Sequence, residues 1–171
     1  MAHSPSRPDP APLLIFAAGN ASRGDDALGP LLLQGIGELA AEGAVPGGCE
    51  LIEDYQLQIE HALDMVGRQQ VLFIDAGQNT PAPFSFRRVR PGTNPSPSTH
   101  ALTPAALLSV YQQIERRAPP PAFVLCIRGE RFELGESLTP AARRNLEQSL
   151  EFARGLLRDV CPEQWENLLR N

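Results

Sequence analysis

Three side chains that could bind a metal or move a proton lie at the ends of predicted strands or in a loop. Asp26 follows the first apolar run, Asp75 closes the run VLFID, and His100 directly precedes the helical pattern ALTPAALL. Two carboxylates and one imidazole at one sheet edge could hold a divalent metal, and this mixture of ligands suits zinc, nickel or manganese. An incomplete ligand set would leave positions open for a substrate.

Each of these residues also has an ordinary structural interpretation. Asp26 could serve only to stabilise the start of a helix, where an acid interacts favourably with the helix dipole. Asp75 could cap the turn after its strand, and His100 could be a solvated loop residue. The functional interpretation depends on the three residues coming together in the folded chain.

The elements that must position these residues alternate along the sequence. Apolar runs bounded by turn residues predict strands over residues 13–18, 49–54, 71–75, 84–89 and 123–127. Helical patterns follow at about 27–42, 57–66, 104–115 and 140–157. This order predicts one α/β domain with three layers, in which helices cover both faces of a mostly parallel sheet of about five strands. Ligands of such domains bind outside the carboxyl ends of the strands, which is where Asp26 and Asp75 would lie.

Two local expectations accompany this fold. Asp25 is predicted to be the N-cap of the first helix, which would occupy its side chain and leave Asp26 free to face the crevice. The second helix is predicted to bury Ile59, Ala62, Leu63 and Val66, which makes His61 a surface residue.

Composition narrows the classes of function. The 171 residues carry a net charge of −5, so nucleic acid is not expected as a partner. All fifteen basic residues are arginine, which excludes a lysine nucleophile and a P-loop lysine. The apolar runs are too short to cross a membrane, and the Pro-rich start lacks a signal-peptide core, so we expect a cytoplasmic protein. Residues 1–12 are predicted to form a disordered tail, and residues 13–171 a single domain.

Four segments, in order, give the chain a resemblance to a known family. GNASRGDDALGPLLLQGI resembles the opening motif G-N-x-x-x-G-D-D-x-x-G of the hydrogenase maturation proteases. VLFIDAG, STHALTPAALL and FVLCIRGERFELGESLTPAARRNL resemble the later parts of the same proteins. The resemblance spans about residues 13–157. These proteins are endopeptidases that trim the C-terminus of the nickel–iron hydrogenase large subunit.

The resemblance implies a function and a set of site residues. The chain would remove the C-terminal extension of the large-subunit precursor after the metal centre is assembled, and would recognise the bound nickel. The family's metal-contacting residues fall on Asp26, Asp75 and His100, with Asp26 and Asp75 also implied as catalytic. The rest of the first motif, Gly19, Asn20, Gly24 and Asp25, is expected to bind substrate. We expect a monomer without a tightly bound cofactor, the nickel being supplied by the precursor.

Two other functions remain open at this point. The same residues could serve a non-enzymatic checkpoint or nickel carrier that binds the precursor without cutting it. A hydrolase of small molecules on the same scaffold is a further alternative, since a fold does not fix a function. The sequence also leaves open whether a metal or a carboxylate-activated water does the chemistry, which hydrogenase is processed, and where it is cut.

Overall fold

The computed structural model describes residues 8–92 and 102–171. In these ranges one sheet is built from β1 (Leu13–Ala18), β2 (Cys49–Asp54), β3 (Gln70–Gly77), β4 (Phe84–Val89) and β5 (Ala122–Arg128). The helices are α1 (Leu28–Ala41), α2 (His61–Asp64), α3 (Pro104–Glu115), α4 (Pro140–Leu156) and α5 (Pro162–Glu166). A 3-10 helix, Gly24–Ala27, precedes α1.

The strands lie in the order β2-β1-β3-β5-β4. The pairs β1–β2, β1–β3 and β3–β5 are parallel, and β4 is antiparallel to β5. The predicted fold class is therefore confirmed, and so are the predicted bounds of β1, β2 and β4. The sequence places β3 and β5 correctly but predicts both too short, by one or two residues at each end.

The core lies on both faces of the sheet, as alternate residues of β1 show. Leu13 and Ile15 pack into a cluster that includes side chains of α1 and α4. Leu14 and Phe16 pack into a second cluster with side chains of α3 and the α2 region. Because both faces are covered, the strand is apolar at every position instead of alternating. The result is the three-layer arrangement expected from the sequence.

Proline fixes the starts of the two long helices that follow β4 and β5. Thr103 and Thr139 are N-caps whose hydroxyl oxygens accept hydrogen bonds from Ala106 and Ala142, each at 3.2 Å. A proline follows each cap at the first helical position, where its missing N–H costs no hydrogen bond. Both starts agree with the sequence prediction.

The prediction for the second helix is wrong in length and in the face it buries. Within the predicted segment 57–66, only the four residues of α2 form an α-helix. Hydrogen bonds such as that from the N–H of Ala62 to the carbonyl oxygen of Ile59 span three residues, as in a 3-10 helix. This tighter winding rotates the side chains relative to a 3.6-residue period. Ile59 and Leu63 are consequently exposed and His61 is buried, contrary to the prediction, whereas Ala62 is buried as predicted.

Both ends of the described chain touch the sheet. Carbonyl oxygens of residues 11–12 accept hydrogen bonds from Arg68, Gln69 and Gln70 at 2.8–3.2 Å, so the predicted disordered tail extends too far at these two residues. Near the other end, Phe86 and Arg170 exchange main-chain hydrogen bonds of 2.7 and 2.8 Å. Among the described residues, no helix has both the length and the apolar character needed to cross a membrane.

Candidate active site

A cleft of about 290 Å³ lies at the carboxyl ends of β1 and β3. The chain leaves these adjacent strands in opposite directions, since β1 leads to β2 on one side and β3 leads to the β5–β4 side. Doubly wound sheets bind ligands at such a reversal of strand order. The cleft is lined by Gly19, Asp26, residues 55–57, Asp75 and residues 102–104, together with apolar side chains of β1 and β3. The two predicted carboxylates therefore share one cleft.

The loop after β1 places Asp26 in this cleft. Gly19 has a φ of +152°, and a Cβ added there would overlap the carbonyl oxygen of Asp26. Only glycine allows this close approach between the loop and the 3-10 helix. The main-chain N–H of Asn20 then donates to Oδ2 of Asp26 at 2.9 Å, which fixes the carboxylate. Gly19 and Asp26 therefore act as one local unit.

Asn20 shapes the same loop with its side chain. Its Oδ1 accepts a hydrogen bond of 2.9 Å from the N–H of Ser22, and its carbonyl oxygen accepts one of 3.0 Å from Arg23. This is the turn that asparagine forms with the backbone two residues on. The geometry assigns the side-chain oxygen of Asn20 to the turn, and substrate binding by Asn20 stays a prediction.

Asp25 lies in the interior and not at a helix cap. Its side chain has no exposed surface. Its carboxylate accepts hydrogen bonds from the N–H groups of Glu130, Arg131 and Thr139 and from the Thr139 hydroxyl, at 2.7–3.1 Å. Burial alone would raise the pKa of Asp25, but these hydrogen bonds outweigh it and hold the pKa below its usual value.

The position of Asp25 corrects two expectations. The N-cap of α1 is Ala27, which has no side-chain oxygen, because Asp25 lies within the 3-10 helix that precedes α1. A carboxylate with no exposed surface has nothing to offer a substrate directly, so the structure assigns Asp25 to the support of Asp26 instead of the predicted binding surface.

Gly24 has a similar supporting position. It is buried with a φ of +55°, and a Cβ there would lie 2.6 Å from the carbonyl oxygen of Arg131. Its N–H donates to the carbonyl oxygen of Glu136 at 3.2 Å. Gly24 and Asp25 together join the 3-10 helix to the loop between β5 and α4, behind the face that carries Asp26.

Asp75 stands near the end of β3 and reaches solvent through the cleft. Its Oδ1 accepts a hydrogen bond of 2.8 Å from the N–H of Ala76. The protein atoms that crowd the carboxylate desolvate it, and the negative charge of Asp26 adds to this effect. Together they raise the pKa of Asp75 to about 6, against the opposing hydrogen bond from Ala76. A carboxylate with this pKa is a stronger base near neutral pH than an ordinary aspartate.

A cysteine beside Asp75 is unsuited to act as the nucleophile. Cys126 is the partner of Asp75 in the β3–β5 register. Burial and the charge of Asp75 raise the pKa of the Cys126 thiol to about 11. The thiol is therefore protonated at neutral pH, whereas a nucleophilic cysteine requires the thiolate.

His100, the third predicted ligand, lies outside the described residues. The chain that follows it in sequence, residues 102–104, lines the cleft. Within the described ranges, residues 8–92 and 102–171, no group of three or more histidine, cysteine or acidic side chains is placed to hold a metal ion. The two carboxylates are thus brought together by the structure, and the full ligand set stays a prediction.

The sequence analysis did not select Asp54 and His61, which adjoin the cleft. Nε2 of His61 lies 3.4 Å from Oδ2 of Asp54, and the ring centroid of His61 lies 5.1 Å from that of Phe16, a residue of the cleft wall. One signal was available, because Asp54 ends a parallel strand in the same way as Asp75. The helix predicted over residues 57–66 places His61 on its solvent-facing side, and for this reason His61 is not among the predicted site residues.

Comparison with solved structures supports the fold. A [NiFe] hydrogenase maturation protease, HycI from Thermococcus kodakarensis, superposes with a TM-score of 0.67 at 20% identity, over 87% of this chain and 94% of that one. The hydrogenase maturating endopeptidase HybD from E. coli gives 0.62 at 23% identity, over 85% and 91%. A hydrogenase 2 maturation peptidase from a Thaumarchaeota archaeon gives 0.57 at 15% identity, over 85% and 97%.

These similarities show that the chain has the fold of the hydrogenase maturation proteases, as the resemblance in sequence predicts. The shared fold covers nearly the whole length of each of the compared proteins. No protein-family model matches the sequence, and no curated protein matches it either.

Proposed function

We propose that the chain is an endopeptidase that removes the C-terminal extension of a nickel–iron hydrogenase large-subunit precursor once the metal centre is in place. The observation that carries this proposal is the pair Asp26 and Asp75, which share one cleft at the strand-order reversal of this fold. Support comes from the fold shared with proteins named as hydrogenase maturation proteases.

In this proposal the nickel belongs to the substrate. Asp26, Asp75 and His100 contact the nickel of the bound precursor and so set the position of the scissile bond. Carboxylate oxygen and imidazole nitrogen suit such an ion, and one oxygen of each aspartate is already held by a main-chain N–H. Held carboxylates lose less conformational freedom on binding, which favours a precise register.

Hydrolysis then needs a base and a proton path. Water adds to the scissile carbonyl carbon, Asp75 takes the water proton, and the C–N bond breaks as that proton passes to the leaving amine. The raised pKa of Asp75 suits both halves of this transfer. Desolvation of Asp75 is the main cause of that raised pKa, and the neighbouring charge of Asp26 adds to it, so the two carboxylates have complementary roles.

The test uses two forms of one precursor, assembled with and without nickel. Metal-stripped protein is incubated with each form, and the large subunit is followed by mass spectrometry. We expect a shorter large subunit from the nickel-loaded form only. Efficient trimming of the nickel-free form would contradict nickel recognition and would leave a carboxylate–water mechanism that needs no metal.

The same experiment separates the endopeptidase from the alternative functions. A checkpoint or carrier would form a complex with the loaded precursor without changing its mass. A hydrolase of small molecules would turn over simple esters or amides and ignore the precursor. The protein is proposed to act as a monomer and to hold no metal tightly by itself, which sedimentation and elemental analysis of the purified protein measure directly.

A further inference from the structure

One wall of the cleft consists of residues 55–57, which follow β2 without forming a helix or strand. Leu57 is buried and anchors this wall in the core cluster beneath it. Tyr55 has 74% of its surface exposed although it lines the cleft. Exposed tyrosine rings beside a binding site are well suited to contact a protein partner, because they offer a large apolar surface and lose little conformational entropy.

Asp54 connects this wall to the first loop of the site. Its Oδ1 accepts a hydrogen bond of 2.7 Å from the N–H of Tyr55, and its Oδ2 lies 3.4 Å from Nε2 of His61. Its carbonyl oxygen accepts a hydrogen bond of 3.1 Å from Gly19. One residue thus joins the loop that carries Asp26 to the wall formed by residues 55–57.

His61 holds the other end of the wall. Its Nδ1 accepts a hydrogen bond of 2.9 Å from the N–H of Gln58, so the ring hydrogen of neutral His61 is assigned to Nε2, which faces Asp54. The imidazole is buried against Phe16. Both ring nitrogens of His61 are therefore engaged in closing the segment between Asp54 and Gln58.

We propose that Asp54 and His61 are positioning residues that hold residues 55–57 as the wall contacting the protein substrate, with Tyr55 as the residue that determines substrate affinity. The substrate contact rests on the proposed function. The positioning does not, because it follows from the hydrogen bonds of the Tyr55 and Gln58 N–H groups and from the contact between His61 and Asp54. A histidine that merely filled the core would not need acceptors and donors matched to both ends of this segment.

The first test measures amide hydrogen exchange by NMR in the free protein. His61→Phe keeps a ring against Phe16 and removes both polar contacts, and we expect the Gln58 amide to exchange about tenfold faster or more. Asp54→Asn has one acceptor oxygen for two donors, so the Tyr55 amide or the His61 contact must be lost. Amides of β1 and β3 should keep their protection in both variants.

A conservative variant provides a rescue. The side-chain oxygen of His61→Asn can take about the place of Nδ1, so it should restore slow exchange at Gln58 without restoring the contact to Asp54. Equal exchange at Gln58 in wild type, His61→Phe and His61→Asn would overturn the positioning role.

The second test measures the kinetics of precursor processing. Tyr55→Ala should raise KM about tenfold and change kcat less than about twofold, because it removes a binding contact and leaves both carboxylates in place. Leu63→Ala is the matched control, since Leu63 is 58% exposed on the neighbouring segment and does not line the cleft. An unchanged KM in Tyr55→Ala would overturn the assignment of the wall.

The two tests distinguish failure of this inference from failure of the proposed function. If wild-type protein neither binds nor shortens the nickel-loaded precursor, the proposed function and the substrate contact of Tyr55 both fall. The exchange rates at Tyr55 and Gln58 still decide whether Asp54 and His61 position the wall.

Discussion

Asp25 and Asp26 are adjacent in sequence, yet Asp25 is completely buried and Asp26 lines the cleft. The 3-10 helix explains this divergence, because successive residues in it lie about 120° apart around the axis. The hydrogen bonds of Asp25 join the 3-10 helix to the loop before α4, so the side chain of Asp26 faces the cleft. Substitution of these two neighbours should therefore affect different properties.

Asp26→Asn should strongly reduce processing while leaving the fold intact. The change removes the charge proposed to contact nickel, and its Oδ2 accepts only one main-chain hydrogen bond from the described residues. We expect a loss of about 100-fold or more in kcat/KM and a change below about 1 kcal/mol in the free energy of unfolding. Mass spectrometry of the precursor and urea denaturation measure the two effects. Glu147→Gln on the exposed face of α4 is the control, and activity equal to that control would remove Asp26 from the site.

Asp25→Asn should have the larger effect on stability. The amide nitrogen that replaces one carboxylate oxygen faces N–H donors, so at least one buried donor loses its partner. We expect destabilisation by about 3 kcal/mol at neutral pH, seen as a lower urea midpoint. Because the pKa of Asp25 is lowered in the folded state, its stabilising contribution is present above the unfolded pKa. The difference from wild type should therefore shrink as pH falls below about 4, and a constant difference would argue against a buried carboxylate.

Asp75 should give the opposite dependence of stability on pH. Its pKa is raised to about 6 in the folded state, so the folded protein holds a proton that the unfolded chain has released between about pH 4 and 6. Stability should fall as pH rises through this window, and Asp75→Asn should remove that fall. Urea denaturation at several pH values tests this, and parallel curves for the two proteins would be inconsistent with the raised pKa.

The charge of Asp26 should be measurable in the titration of Asp75. Because that charge contributes to the raised pKa, Asp26→Asn should lower the pKa of Asp75. Carboxyl chemical shifts followed by NMR report this without any need for activity. In the wild type, kcat/KM should rise with pH through about 6 and then level off if Asp75 is the base. A profile that is flat from pH 5 to 7 would assign the proton transfer to another group.

Truncations at the start of the chain should differ sharply. Deletion of residues 1–6, which are polar and Pro-rich, should leave the melting temperature unchanged within about 1 °C. Deletion of residues 1–12 removes the carbonyl groups that bind Arg68, Gln69 and Gln70, and should lower the melting temperature by several degrees, about 1–2 kcal/mol. Calorimetry of both proteins tests this, and equal melting temperatures would show that residues 11–12 contribute nothing.

The features predicted correctly from the sequence depend on local signals. Continuous apolar runs mark strands covered on both faces, and Thr-Pro pairs mark the starts of α3 and α4. Placement of Asp26 and Asp75 in one cleft follows from strand order, since both stand near carboxyl ends of parallel strands that are neighbours in the sheet.

The features missed depend on contacts between distant parts of the chain. Asp25 resembles a helix cap locally, and only the loop over a hundred positions later shows what its carboxylate binds. His61 fits a helical pattern as a polar residue, and its burial becomes evident only when Phe16 and Asp54 are placed beside it. The periodicity of a single segment does not reveal either of these long-range contacts.

The main-chain pairing of Arg170 with Phe86 has a consequence for how copies of this protein meet one another. This pairing occupies part of the outer edge of β4, where unpaired main-chain groups could otherwise bind a strand of another chain and extend the sheet. The opposite edge strand, β2, carries exposed Glu53, whose negative charge opposes the approach of a second copy, and Glu50, which is paired with Arg68. Aggregation by strand addition is thus hindered at the β4 edge by the pairing with Arg170 and at the β2 edge by charge repulsion. Loss of Arg170 should promote association most strongly at high protein concentration.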